Sequence, residues 1–167
     1  GCNAAPDGKH LIINGKLSPT VTIFDWDKFD DVFAGKTKGE DAIVGNLEVG
    51  LGPLHTTFDG KGHAYTSLFL ETKVAKWSLK DLKVVDKLST HYNIGHLAAA
   101  EGDTVSPDGK YLVGLNKLSH GRHLPVGPSQ PESSQLVDIG EEKMKLIYDA
   151  FTEPEPHYAQ IIKADKI

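Results

Sequence analysis

Apolar and β-branched residues come in short runs cut by Gly, Pro, Asn and Asp, and no stretch sustains a 3.6-residue period. The runs fall into three sets. The first holds residues 10–14 (HLIIN), 20–26 (TVTIFDW) and 31–34; the second holds 64–70, 74–79 and 82–88. The third holds 111–115, 135–139 and 143–149, with a long loop over 119–134. The one helical candidate, 78–86, ends in the β-branched pair Val84-Val85, which favours a turn followed by a strand. An Asp-Gly-Lys triplet precedes each set, at Asp7, Asp59 and Asp108, with spacings of 52 and 49 residues. Asp-Gly is the signature of a tight hairpin.

A histidine stands at the same phase of each repeat. His55 and His96 precede the second and third triplets, and His157 opens the last apolar run, where a further strand is expected. Counting the histidine-bearing strand first, each repeat has four strands, the unit of a β-propeller blade. The fold class expected is all-β, a partial propeller of about three blades. Closed propellers have roughly 4 to 8 blades, so open sheet faces and poor stability in isolation are expected. A single β-sandwich with accidental Asp-Gly-Lys turns is the competing reading.

Composition narrows the function classes. With 18 Lys and Arg against 23 Asp and Glu the net charge is -5, and no basic run offers a surface to nucleic acid or anionic membrane. No stretch approaches the roughly 20 apolar residues of a membrane span. Cys2 is the single cysteine, which excludes an internal disulfide and a multi-thiolate metal site. The ends, without an initiating Met or signal peptide, suggest a piece of a longer chain. Gly-rich phosphate loops, Gly-X-Ser-X-Gly elbows and His-Glu-X-X-His motifs are missing from the sequence.

If the first strand of each blade faces the propeller axis, His55, His96 and His157 converge. Neutral imidazole suits Zn, Cu, Fe or Ni. A carboxylate or backbone carbonyl is expected behind each ring, on the nitrogen that does not ligate. Glu155, two residues before His157, would share its side of a strand, and Lys117 closes a strand in the blade of His96. Together they are candidates for proton delivery. Glu132 is a candidate oxygen ligand for a hard cation stapling the long loop. His10, His63 and His120 read as solvated turn residues, His123 as a loop residue able to approach the channel, and His91 as a packing or orienting neighbour of His96.

The segments GKLSPTVTIFD, EVGLGPLHTTFDGKGHAYTSLF, HYNIGH, GLNKLS, LPVGPSQPESSQLVDI, KMKLIYDAF and EPEPH, in this order, resemble the N-terminal propeller of nitrous oxide reductase. That resemblance implies a seven-bladed propeller with a histidine-held tetranuclear copper-sulfide cluster, CuZ, and a separate C-terminal cupredoxin domain carrying CuA, absent here. It makes His55, His96 and His157 cluster ligands, with Gly1 following a fourth ligand outside the chain. It makes Lys117 and Glu155 the proton-handling residues, and the Lys117 carbonyl with Glu132 a structural calcium site. His120, His123, Leu97 and Tyr148 depart from the family pattern.

The implied activity is two-electron reduction of N2O to N2 and water. The implied setting is a periplasmic head-to-tail homodimer fed by cytochrome c or a cupredoxin. Carrying part of the site, the chain alone is expected to be inactive. Two other readings remain: a non-catalytic propeller module whose histidines are packing residues, and a zinc- or calcium-dependent propeller hydrolase.

Overall fold

The computed structural model describes residues 1–119 and 131–167. Twelve strands form three four-stranded antiparallel sheets. The first sheet contains β1 (Cys2–Ala4), β2 (His10–Asn14), β3 (Thr20–Asp25) and β4 (Ile43–Glu48). The second contains β5 (Pro53–Phe58), β6 (His63–Leu68), β7 (Lys73–Ser78) and β8 (Lys83–Ser89). The third contains β9 (Ile94–Ala99), β10 (Tyr111–Asn116), β11 (Ser133–Asp138) and β12 (Lys145–Phe151). Within each sheet the strands lie in chain order, the meander of a propeller blade.

Burial explains why the sheets stack. The middle strands of the second sheet are buried on both faces: Ala64, Leu68, Ala75 and Trp77 join Ile12, Val21 and Ile23 of the first sheet, while Tyr65 and Val74 join Leu97, Leu112 and Val137 of the third. Successive strand residues point to opposite faces, so one blade feeds two cores. Outer strands β4 and β8 alternate between exposed and half-buried positions, as a rim in contact with water should. Polar bonds reinforce the stack. Trp77 Nε1 donates to Thr66 Oγ1 at 2.9 Å, and Thr56 Oγ1 donates to Asn14 Oδ1 of the first sheet at 2.9 Å. Buried Lys76 donates to the carbonyls of Glu141 and Glu142 in the third sheet, at 2.8 and 3.3 Å.

The Asp-Gly-Lys triplets lie between the first and second strands of each sheet. Asp59, 1% exposed, accepts from the Lys61 and His63 amides, His63 Nδ1 and the Tyr65 hydroxyl. Gly60 turns at φ +74, and a side chain there would collide with the Pro107 carbonyl. Asp7 makes the same amide bonds and meets His10 Nδ1 at 2.6 Å, near the surface. His10 and His63 are therefore partners of turn carboxylates, a correction to their reading as solvated residues.

Three further expectations fail. Residues 31–34 lie not in a strand but in and after α1 (Phe29–Phe33), where Phe29 and Phe33 stack at i,i+4 and Asp30 and Asp31 favour the helix N-terminus. The fourth strand of the first sheet is β4, whose Gly45-Asn46 interrupts the apolar pattern that would reveal it. His157 opens no strand; beyond β12 the chain runs irregularly to a short turn of helix at Ala164–Lys166. His120 and His123 lie outside the described residues.

Asp59→Ala removes the acceptor of four donors, the buried Tyr65 hydroxyl among them, and is expected to cost about 2–4 kcal/mol. Asp7→Ala, at the surface, is expected to cost about 1 kcal/mol or less. Denaturant unfolding measures both, and equal costs would refute a buried clamp at Asp59.

Candidate functional site: an imidazole row

The first strands of the second and third sheets lie side by side and carry His55 and His96 at the same phase. Their ring centroids are 5.0 Å apart, and His157 follows at 4.6 Å from His96. The three imidazoles form a row with His96 at its centre, opening on a cavity of about 280 Å³. Gly1, Lys16, Leu54, Phe69, Lys117 and Leu118 complete the lining. Tyr158 approaches His96 edge-on, with ring centroids 6.3 Å apart.

Local sequence explains these positions. Pro53 starts β5 beside Gly52, whose φ of +81 brings it close to the Leu70 backbone. Gly95, before His96, packs against the Lys117 side chain, with 3.6 Å between a hypothetical Cβ and Lys117 Cβ. Lys117 follows β10 and reaches His157, Nζ to Nδ1 at 2.7 Å. His157 is thereby placed by a lysine contact and not by a sheet, which corrects the expected strand.

Burial and neighbouring charge favour the neutral form of His55 and His96. His55 titrates near 4, first because it is buried, then because of His96 and the chain's amino terminus. His96 also lies below the ordinary imidazole range, through burial, then His157 and Lys117. Neutral rings keep a nitrogen lone pair available to a metal.

The second-layer contacts differ from expectation. No acceptor supports the Nδ1 atoms. His55 Nδ1 accepts from the Leu97 amide at 3.2 Å, His157 Nδ1 meets an ammonium, and buried His96 Nδ1 has no hydrogen-bond partner among the described residues. A buried nitrogen with no hydrogen-bond partner beside a second imidazole fits a site for a metal that imidazole suits, Zn, Cu, Fe or Ni. Among the described residues no three His, Cys, Asp or Glu side chains form a group suited to a single ion.

The other candidates sit apart from the row. Glu155 is exposed, in a left-handed turn at φ +55, so the pleat that was to align it with His157 does not exist there. Glu132 is 6% exposed. Asn116 pairs with Ser133 in the β10–β11 register, and one step further along it sets Lys117 opposite Glu132, at the same end of the sheet as the row. His91 Nδ1 lies 3.0 Å from Asp149 Oδ2, and its amide donates to Gln135. It therefore contacts the outer strands of its sheet. Lys16, which the sequence did not single out, lies in the β2–β3 turn with its ammonium 5.2 Å from the Phe69 ring centroid. The repeat signal offered no way to find it, since it follows no histidine.

The fold and the site define a β-propeller segment whose inner strands present His55 and His96, with His157 beside them, to a small cavity. Residues 87–157 match the nitrous oxide reductase propeller repeat. The chain is homologous to nitrous-oxide reductases along its whole length. It is 47% identical to that of Stutzerimonas stutzeri over the entire chain and 28% of the relative. It is also 47% identical to that of Ralstonia nicotianae over 99% of the chain and 27% of the relative. The chain thus spans a little over a quarter of those proteins. Among solved structures it resembles Kuenenia stuttgartiensis hydrazine synthase, with TM-score 0.67, 13% identity, and coverage of 92% of this chain and 36% of that one. It also resembles the Myceliophthora Cps50 (Swd1) β-propeller domain, with TM-score 0.60, 13% identity, and coverage of 87% and 37%. At these identities the structural likeness concerns the fold alone.

In the metal-free full-length protein, His55 is expected to stay unprotonated until about pH 4. An unfolded imidazole titrates near ~6.5, so between about pH 6.5 and about pH 4 the unfolded chain takes up the proton first. Stability should fall across that window as pH drops, and level off below it. NMR titration of the ring reads the midpoint directly, and a value near 6.5 would sink the buried site.

Proposed function

We propose that this chain is the part of a nitrous-oxide reductase in which His55, His96 and His157 hold copper. The single observation that carries the reading is the row of three imidazoles, at spacings of 5.0 and 4.6 Å, in a chain 47% identical to nitrous-oxide reductases. The overall reaction is N2O + 2H⁺ + 2e⁻ → N2 + H2O. A copper-sulfide cluster held by His55, His96 and His157, together with histidines from outside this chain, would supply the electrons at this site.

The residues of this chain do the rest. Leu54, Phe69 and Leu118 give the cavity apolar walls, which suit a small neutral substrate and limit water. Lys117 Nζ, against His157 Nδ1, holds a proton at the edge of the row. Lys117 is the proposed proton donor, and Glu155, on the turn leading to His157, exchanges protons with solvent. The Lys117 carbonyl and Glu132 are proposed as calcium ligands that fix the β10–β11 end of the third sheet, and so Lys117 itself. In the full-length protein, the proposal includes a homodimer, cytochrome c or a cupredoxin as electron donor, and a periplasmic setting. The segment alone is proposed to be inactive.

His96→Ala in the full-length protein is expected to abolish the cluster, seen as lost copper and lost visible absorption; normal copper content and turnover would refute the assignment. Lys117→Met is expected to retain copper and lower kcat about 10²-fold, the usual scale for losing a proton-transfer group. Unchanged kcat in that variant would remove Lys117 from proton delivery.

A further inference from the structure

A turn that belongs to no strand touches both sides of the histidine cavity. Residues 90–93 join β8, the outer strand of the second sheet, to β9, the inner strand of the third. Thr90 stays with the second sheet, its amide and hydroxyl both donating to the Thr72 carbonyl, while the His91 amide donates to Gln135 of the third. Asn93 closes the turn and is fully buried. Its side-chain Nδ2 donates to the Phe69 carbonyl at 3.1 Å, and its own carbonyl accepts from the Lys117 amide at 3.1 Å. Phe69 and Lys117 both line the cavity, one from each blade.

These bonds make a continuous run from the strand of His55 to His157. The Phe69 amide donates at 2.8 Å to the carbonyl of Gly52, three residues before His55. Asn93 then carries the run from the second blade to the third, and Lys117 ends it with its ammonium on His157 Nδ1 at 2.7 Å. The sheet by itself holds Lys117 loosely. It lies just past the end of β10, and the β9–β10 register shifts between Gly114 and Asn116.

Asn93 occupies its place at a cost. Its φ of +56 is in the left-handed region, which most side chains avoid and asparagine tolerates. Its Oδ1 is buried with no hydrogen-bond partner among the described residues, which costs about as much as a lost hydrogen bond. Glycine would make the same turn without burying half an amide. Turn geometry therefore does not account for the asparagine, whereas its donor to Phe69 does. Costs of this kind collect at functional sites, where the surrounding packing sustains them.

We propose that Asn93 is a positioning residue for Lys117, tying the lysine backbone to the second blade so that its ammonium meets His157 at a fixed place beside the cavity. The part that Lys117 plays in the reaction rests on the copper reading; its placement by Asn93 does not.

In the full-length protein Asn93→Gly keeps the left-handed turn and the backbone carbonyl and removes only the donor to Phe69. With the protein metal-free, amide hydrogen exchange at Lys117 is expected to quicken about fivefold, the scale of one hydrogen bond, while Val74 and Leu112 in the cores keep their protection. Unchanged exchange at Lys117 overturns the proposal. So does a general loss of protection, which would make Asn93 a residue of fold stability alone. With copper loaded, Asn93→Gly is expected to keep the visible absorption and lower kcat about tenfold, and to lower it no further when added to Lys117→Met. A double variant in which the two single losses multiply means that Asn93 does not act through Lys117, and overturns the proposal. A wild-type protein that binds no copper would sink the copper reading instead, and exchange at Lys117 would still confirm or overturn the placement.

Discussion

The middle strands of the second blade, β6 and β7, are buried on both faces, and the candidate site depends on that constraint. Ala64, Leu68, Ala75 and Trp77 pack one way, Tyr65 and Val74 the other, so the second sheet holds its neighbours at a fixed distance on both sides. Because the innermost strands β5 and β9 lie edge against edge, residues at equal phase become spatial neighbours. His55 and His96 meet for this reason alone. The Leu97 amide then ties the two blades through His55 itself.

The same geometry sets the chemistry. Imidazoles brought from water into a shared cavity lose hydration and feel one another's charge, and both effects favour the neutral ring. Neutrality suits a metal-holding row and costs stability only at acid pH. Lys117 sits at the boundary, where an ammonium can face His157 without being fully stripped of water. Copper chemistry in a nitrous-oxide reductase is the reading that uses the row, the lysine and the homology together.

Much of the fold was legible in residue order. Asp-Gly-Lys triplets fall between the first two strands of every sheet, and in the first two Asp caps the turn amides while Gly accepts the left-handed turn, both local effects; Asp108 pairs with Lys163 instead. Elements whose stability comes from elsewhere were not legible. β4, with Gly45 and Asn46 inside it, is a strand because β3 offers it a hydrogen-bonded edge. Residues 31–34 lie in and around a helix because Phe29 and Phe33 can stack across one turn. His157 leads no strand among the described residues, and the pleat argument for Glu155 lapses with it.

What the sequence by itself determined was periodicity: three repeats, a shared turn chemistry in the first two, and a histidine at the same phase of β5 and β9, together with motifs that mark the nitrous-oxide reductase propeller. Those follow from interactions within a few residues, which the order of residues specifies directly. Tertiary structure decided the spacing of the rings, the contact of Lys117 with His157, the unpartnered nitrogen of His96 and the place of Lys16. Each of these joins residues brought together by sheet stacking or by turns at the same end of neighbouring blades, and such distances exist only once the cores on both sides of the middle blade have closed.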